Sequence, residues 1–241
     1  TALKTLWCYN APITKLDLSK NTSLGVLRAS GTAITELDLS NNKELTYLEC
    51  DGTNITELSL ANNSKLQWLT CADTKVQNLD IKNLSDLRRL EVQNTGITNL
   101  DVTKNNQLVR LDCSNTQISD LNLTNNGNLQ VLICADTGLN TLDISKNAQL
   151  AYFDLHNTNI SNLNVDGLLN LEYLDISNTK FTNLDVSNND KLKSLKYDNT
   201  PLISLNLGNN SHLQDSTGIV QAQRLEVTGG SFHLAQYFHN Y

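Results

Sequence analysis

Methionine is absent from the 241 residues and proline occurs only twice. The missing initiator points to a fragment or a processed mature region. No apolar run approaches the roughly 20 residues that a membrane-spanning helix requires, and no charged-then-apolar leader opens the chain, so no membrane insertion is expected. An excess of basic charge is also missing: 18 Lys and Arg stand against 25 Asp and Glu, a formal charge of -7. Counterion release, the attraction that nucleic-acid binders and polybasic anchors use, is unavailable to such a chain, and nucleic acid is not an expected partner. The composition that remains, 39% apolar and 18% charged, suffices for a core and excludes a disordered tail.

What the chain does have is a repeat. Aligning residues 21–41 over 42–62 and 63–83 fixes a period of 21 residues, which holds without insertion to Asn209. With Asn21 as position 1, position 4 is Leu from Leu3 to Leu213 and position 17 is Leu from Leu16 to Leu205. Position 7 is Leu except at Phe153, position 14 is apolar (Ile34, Val76, Leu139, Phe181), and position 19 carries Leu39, Ile81 or Val102. So strict a period is the signature of a solenoid. The pattern of Leu45, Leu48, Cys50, Thr53 and Ile55 fits the strand and corner of a leucine-rich repeat, with Thr at the usual Asn place. The expected fold is an α/β leucine-rich-repeat solenoid of about ten coils. It is β-rich, with a parallel sheet on its concave face from positions 6 to 10 and an irregular extended segment at positions 16 to 20. Residues 1–213 form the array, whose first coil is incomplete.

Several rows read as structure. All five cysteines (Cys8, Cys50, Cys71, Cys113, Cys134) occupy position 9, an inward apolar site. Strand spacing of about 4.8 Å is too wide for the Cβ separation of about 3.8 Å that a disulfide prefers, so free buried thiols are expected. Position 12 is Thr in nine of ten coils, Ala11 excepted, which suits hydroxyls that satisfy backbone groups of the neighbouring coil. Asn, Asp or Gly just before it (Asn94, Asp73, Gly52) suits a turn with unusual backbone angles. A second Thr row at position 15 (Thr35, Thr56, Thr98, Thr182) raises ice or mineral binding as an alternative, against which Gln77, Asn140 and Ile203 interrupt the row. The Asp row at position 18 (Asp17, Asp38, Asp80, Asp101, Asp143, Asp185) reads as a solvated face rather than a cation array.

Packing does not dictate the outward strand positions, and there the chain is asymmetric. Position 6 presents Tyr47, Trp68, Arg89, Arg110, Tyr152 and Tyr173, and position 8 presents Glu49, Glu91, Asp112, Asp154 and Asp175. The outward positions of the opposite segment carry no aromatic. Tyr, Trp and Arg are enriched in binding hot spots, and a solenoid displays them on one extended surface, so these eleven residues form the candidate ligand-binding face. Trp68 beside Arg89 allows a cation–π pair, and the acids suit a basic or amine-bearing patch. The competing reading makes the charges ordinary surface ion pairs and the aromatics good strand formers on a spacer that projects a neighbouring domain.

Catalysis is not expected. His156, with Asp154 and Asp175 on its face, is the only histidine on the strand face of the array, and no nucleophile with matched base, phosphate loop or metal motif accompanies it. Neither cofactor nor metal is expected. After Leu213 the register fails. Val220, Leu225 and Val227 suit a strand, and Ser231 after Gly229-Gly230 suits the cap of a short helix with Leu234, Phe238 and Tyr241. Residues 214–241 read as a cap or the start of another domain. His212, His233 and His239 match no metal spacing.

With these elements together, as in Leu6 to Leu24 and Leu45 to Leu60, the array resembles the 21-residue cysteine-bearing repeats of the internalins. The resemblance implies a secreted or wall-attached Gram-positive surface protein whose concave face binds a host cell-surface protein or a mucin-type glycoprotein. It also implies a helical cap before the repeats and an Ig-like domain after them, at residues 214–241 or beyond. This chain departs from the pattern in its Thr corners and in carrying Cys in half of its coils. The expectation is an extracellular, monomeric adhesion and recognition module without catalysis.

Overall fold

The computed structural model describes residues 2–208, 210–218, 220 and 225–229, and the backbone of 235–236. Every named element among them is a strand. Ten of these follow the repeat: β1 (Thr5–Trp7), β2 (Val26–Arg28), β3 (Tyr47–Glu49), β4 (Trp68–Thr70), β5 (Arg89–Glu91), β6 (Arg110–Asp112), β7 (Val131–Ile133), β8 (Tyr152–Asp154), β9 (Tyr173–Asp175) and β11 (Ser194–Lys196). With β13 (Asp215–Gly218) and β15 (Ala235–Gln236) they form one parallel sheet of 12 strands stacked in chain order. On the opposite segment β10 (Asn183–Asp185), β12 (Ser204–Gly208) and β14 (Glu226–Gly229) form a second parallel sheet.

The strands are short because position 11 turns the chain. Asn10, Gly31, Gly52, Asp73, Asn94, Asn115, Asp136, Asn157, Asn178 and Asn199 all have φ between 49° and 69°, the left-handed region open to Gly, Asn and Asp. Coil-to-coil bonding still continues past each strand: Cys50 N–H donates to the Thr70 carbonyl and Gly52 N–H to Ala72. Inward rows at positions 4, 7, 9 and 14 merge into one continuous core, in which Leu45, Leu48, Cys50 and Ile55 are fully buried. Burying a Leu or Ile side chain is worth about 1.5–3 kcal/mol, and each coil completes its core only against its neighbours.

Three polar rows finish the corners. The Thr hydroxyl at position 12 donates to the carbonyl three residues earlier in its own coil, as in Thr95 to Val92 at 2.7 Å and Thr116 to Cys113 at 2.7 Å. This corrects the expectation of a bond to the neighbouring coil: the left-handed residue at position 11 folds the chain back on itself. Asn at position 1 does the work between coils. Asn105 Nδ2 donates to the carbonyls of Ile81 (3.0 Å) and Leu84 (2.8 Å), and Asn42, Asn63, Asn126, Asn147 and Asn189 repeat the arrangement. The position 18 carboxylates, read as a bare solvated face, accept the N–H two residues ahead, as Asp38 does from Ser40 (2.9 Å). Asn122 and Asn164 do the same.

Beyond Leu213 the stacking outlasts the sequence register. β13 pairs with β11 at the 21-residue spacing, and β14 pairs with β12 through a register shift. Ala235–Gln236 pair with β13, whose edge offers free backbone groups, and so are extended where a helix was expected. The remainder of that expected helix, with His233 and His239, lies outside the described residues.

Candidate functional site

The outward side of the long sheet holds all eleven candidate residues. In-register pairing sets position 6 side chains beside one another: Tyr47 faces Trp68, Trp68 faces Arg89, and Tyr152 faces Tyr173. Toward the N-terminal end Trp7 and Arg28, at position 8, join Tyr47, Trp68 and Arg89 in one stack. Arg28 lies 5.4 Å from the Trp7 ring centroid and 5.0 Å from that of Tyr47. Tyr47 and Trp68 stack at 5.1 Å, and Arg89 covers Trp68 at 4.0 Å. Each such cation–π contact contributes about 0.5–1 kcal/mol where solvent reaches it.

Position 8 lies deeper than its outward alternation suggests. Glu91, Asp112, Asp154 and Asp175 are buried, because the longer position 6 side chains lean over these acids. Two of them are answered by arginine. Glu91 Oε1 takes Arg89 Nη2 and Arg110 Nε, both at 2.6 Å, and Asp112 Oδ2 lies 3.6 Å from Arg110 Nη2. Glu49 is paired with Arg28 at 3.4 Å and accepts the Tyr47 hydroxyl at 3.0 Å. Burial, then the bond to Glu49, raises the Tyr47 phenol above its ordinary range. Burial likewise raises the Asp112 carboxyl, against the bonds from Ser114 and the charge of Arg110.

Beyond the aliphatic pair Val131 and Ile133, a second block begins. Tyr152 and Tyr173 stack at 4.2 Å with rings 2° from parallel, and Lys196 Nζ lies 5.5 Å from the Tyr173 centroid. Burial, then the nearby Asp175 charge, pushes the Tyr173 phenol upward. His156 stands between two carboxylates: Nδ1 is 2.7 Å from Asp154 Oδ1, and Nε2 is 3.2 Å from Asp136 Oδ2. Burial opposes protonation of the imidazole, but the Asp154 bond and the charges of Asp154, Asp136 and Asp175 outweigh it and raise its pKa. The grouping of His156 with Asp154 and Asp175 was legible from position numbers. Asp136 was not, because it sits at the corner of the preceding coil.

Other rows leave the site unaided. The five thiols are free, and four are fully buried. Burial pushes Cys71 and Cys113 up to about 12, and Cys50 Sγ lies 3.4 Å from the Thr70 carbonyl that it faces. The position 12 hydroxyls are buried on their own carbonyls, whereas Thr35, Thr56, Thr98 and Thr182 of the interrupted position 15 row are exposed.

No family model matches the chain, and no curated protein matches it. Solved structures do. The functional domain of InlJ from Listeria monocytogenes, which includes a cysteine ladder, is 35% identical with a TM-score of 0.89 over 90% of this chain and 49% of its own. The internalins InlF and InlC2 of Listeria monocytogenes match in fold at 20% and 23% identity. Their TM-scores are 0.69 and 0.61, covering 94% and 89% of this chain and 82% and 80% of theirs. This chain thus spans about half the length of the InlJ domain.

Proposed function

Because the chain is a leucine-rich-repeat array of the internalin family, we propose that it is an extracellular adhesion and recognition module of a bacterial surface protein. It binds a host cell-surface protein or mucin-type glycoprotein through the outward face of its long sheet. The observation that carries this reading is the stack Trp7, Arg28, Tyr47, Trp68 and Arg89, which joins three aromatic rings and two guanidinium groups across five coils. Strand propensity explains an aromatic here and there; it does not explain why outward aromatics and arginines line the long sheet while the outward positions of the opposite segment carry neither.

Aromatic faces held at fixed spacing suit sugar rings and apolar protein anchors. The carboxylates Glu91 and Asp112 act mainly as internal partners that hold Arg89 and Arg110 in place. That arrangement favours ligands which meet arginine and aromatic groups over the amine-bearing ligands suggested by the acid row alone. A saturable attachment isotherm of the purified chain on immobilised mucin and on epithelial surfaces tests the reading. Absence of saturable attachment to both contradicts it and favours the spacer role.

A further inference from the structure

The acids of position 8 divide into two groups. In the arginine block each carboxylate has a permanent cation: Arg28 for Glu49, Arg89 and Arg110 for Glu91, and Arg110 for Asp112. In the tyrosine block Asp154 and Asp175 face each other in register, both buried, and no Lys or Arg ion pair reaches either among the described residues. Lys196, the in-register neighbour of Asp175, lies over the Tyr173 ring instead. Asp175 is held by the Tyr173 hydroxyl (3.2 Å) and the Ser177 N–H (2.9 Å), and Asp154 by the His156 N–H (3.1 Å) and ring. Even with the imidazole protonated, Asp136, Asp154 and Asp175 leave an excess of negative charge in a half-enclosed place. Two buried carboxylates without a fixed counter-charge are costly.

We propose that Asp154, His156 and Asp175 bind a divalent transition-metal ion of the zinc class, with Asp136 at the rim. One ligand atom from each of the three lies within 4.8 Å of the others, so modest side-chain rotation brings them to the distances of about 2.0–2.2 Å that zinc requires of imidazole nitrogen and carboxylate oxygen. An imidazole among carboxylates selects zinc-like ions over calcium and magnesium, which prefer all-oxygen shells. With Asp154 on the ion, the ligating nitrogen is Nδ1, which lies beside that carboxylate, and Asp136 accepts the Nε2–H and fixes the ring. Asp154 and Asp175 lie on the adjacent strands β8 and β9, and His156 lies in the turn that follows β8. Two carboxylates and one imidazole leave coordination positions open toward the outward face, so a bound ion stands beside the Tyr152–Tyr173 pair, where a partner's oxygen or nitrogen can complete its shell.

The test is calorimetric titration of zinc chloride into the chelator-stripped full chain, with calcium chloride in parallel. It is run on wild type, His156→Gln and Asp175→Asn, with circular dichroism and thermal unfolding of each. The expected result is one zinc per wild-type chain with a raised melting temperature. Affinity falls by about 10- to 100-fold or more in each variant, and calcium binds far more weakly. No zinc binding by the wild type, equal binding by the folded variants, or a calcium preference that ignores His156 overturns the proposal. Asp175→Asn is nearly isosteric and keeps the test decisive if His156→Gln misfolds. The titration needs no partner, so its failure and failure of the adhesion reading are separately visible.

Discussion

The Arg89 guanidinium carbon lies 4.0 Å above the centroid of the Trp68 ring, while Nη2 of the same group lies 2.6 Å from Glu91 Oε1. One side chain thus couples the aromatic stack to the ion-pair network. Because Arg110 also reaches Glu91 at 2.6 Å, Arg89→Ala does not strand a buried carboxylate. A double-mutant cycle of Trp68→Ala and Arg89→Ala, read by chemical denaturation, is expected to give a coupling of about 0.5–1 kcal/mol. A coupling indistinguishable from zero would mean that the contact does not hold in solution.

Arg110 is the member that the network misses most. It serves both Glu91 and Asp112, and Arg110→Ala leaves Asp112 with only the Ser114 bonds. Arg110→Ala is therefore expected to destabilise more than Arg89→Ala in equilibrium unfolding. The reverse order contradicts the assignment of partners.

Asparagine at position 1 ties successive coils. Asn105→Ala removes donors from two buried carbonyls and is expected to cost about 1–3 kcal/mol, while the exposed neighbour Asn106→Ala is expected to change little. Urea unfolding of the two variants separates an inter-coil tie from mere surface polarity.

Thiol chemistry reports the cysteine row. A thiol raised to about 12, as at Cys71 and Cys113, holds about one part in 10,000 as thiolate at pH 8, and reagents have no access to it. Native labelling is expected to modify Cys8, which is partly exposed, and to reach Cys50, Cys71, Cys113 and Cys134 only after unfolding. Mass spectrometry that finds Cys71 modified in the folded state would contradict the burial.

The turn carboxylates set an acid dependence. In Asp38, Asp101 and Asp185 the hydroxyl and N–H bonds from Ser40, Thr103 and Ser187 lower the carboxyl below its ordinary value. A depressed folded pKa contributes stability above the unfolded value of about 3.9 and loses it as pH falls through the folded value. Stability is expected to decline below about pH 4, and replacing the three by Asn to flatten that decline without loss at pH 7. Asn122 and Asn164 already serve the same turn. A triple variant as acid-sensitive as wild type would place the transition elsewhere.

Much of this was legible in the sequence because the period leaves little freedom. Once 21 residues per coil is fixed, Leu48 and Cys50 must point inward, and Gly52 or Asn94 at the corner reveals the left-handed turn. The Asn at position 1 carried an equally regular signal, visible in Asn42, Asn63 and Asn105, but apparent surface polarity hid a buried inter-coil donor. Direction was the harder matter. That Thr95 bonds its own coil, that Asp112 sinks beneath Arg110, and that Asp136 reaches His156 across a corner depend on side-chain torsions that spacing alone does not encode.

The central claim is that one face of the array recognises a partner. Its most direct test compares attachment to immobilised mucin and epithelial surfaces for wild type, for Trp68→Ala/Arg89→Ala/Tyr152→Ala, and for a control with Glu36→Gln and Glu57→Gln off the sheet face. Thermal unfolding must show all three folded. Saturable binding that is kept by wild type and control and lost by the triple variant is the predicted result; equal binding by all three, or none by any, contradicts it.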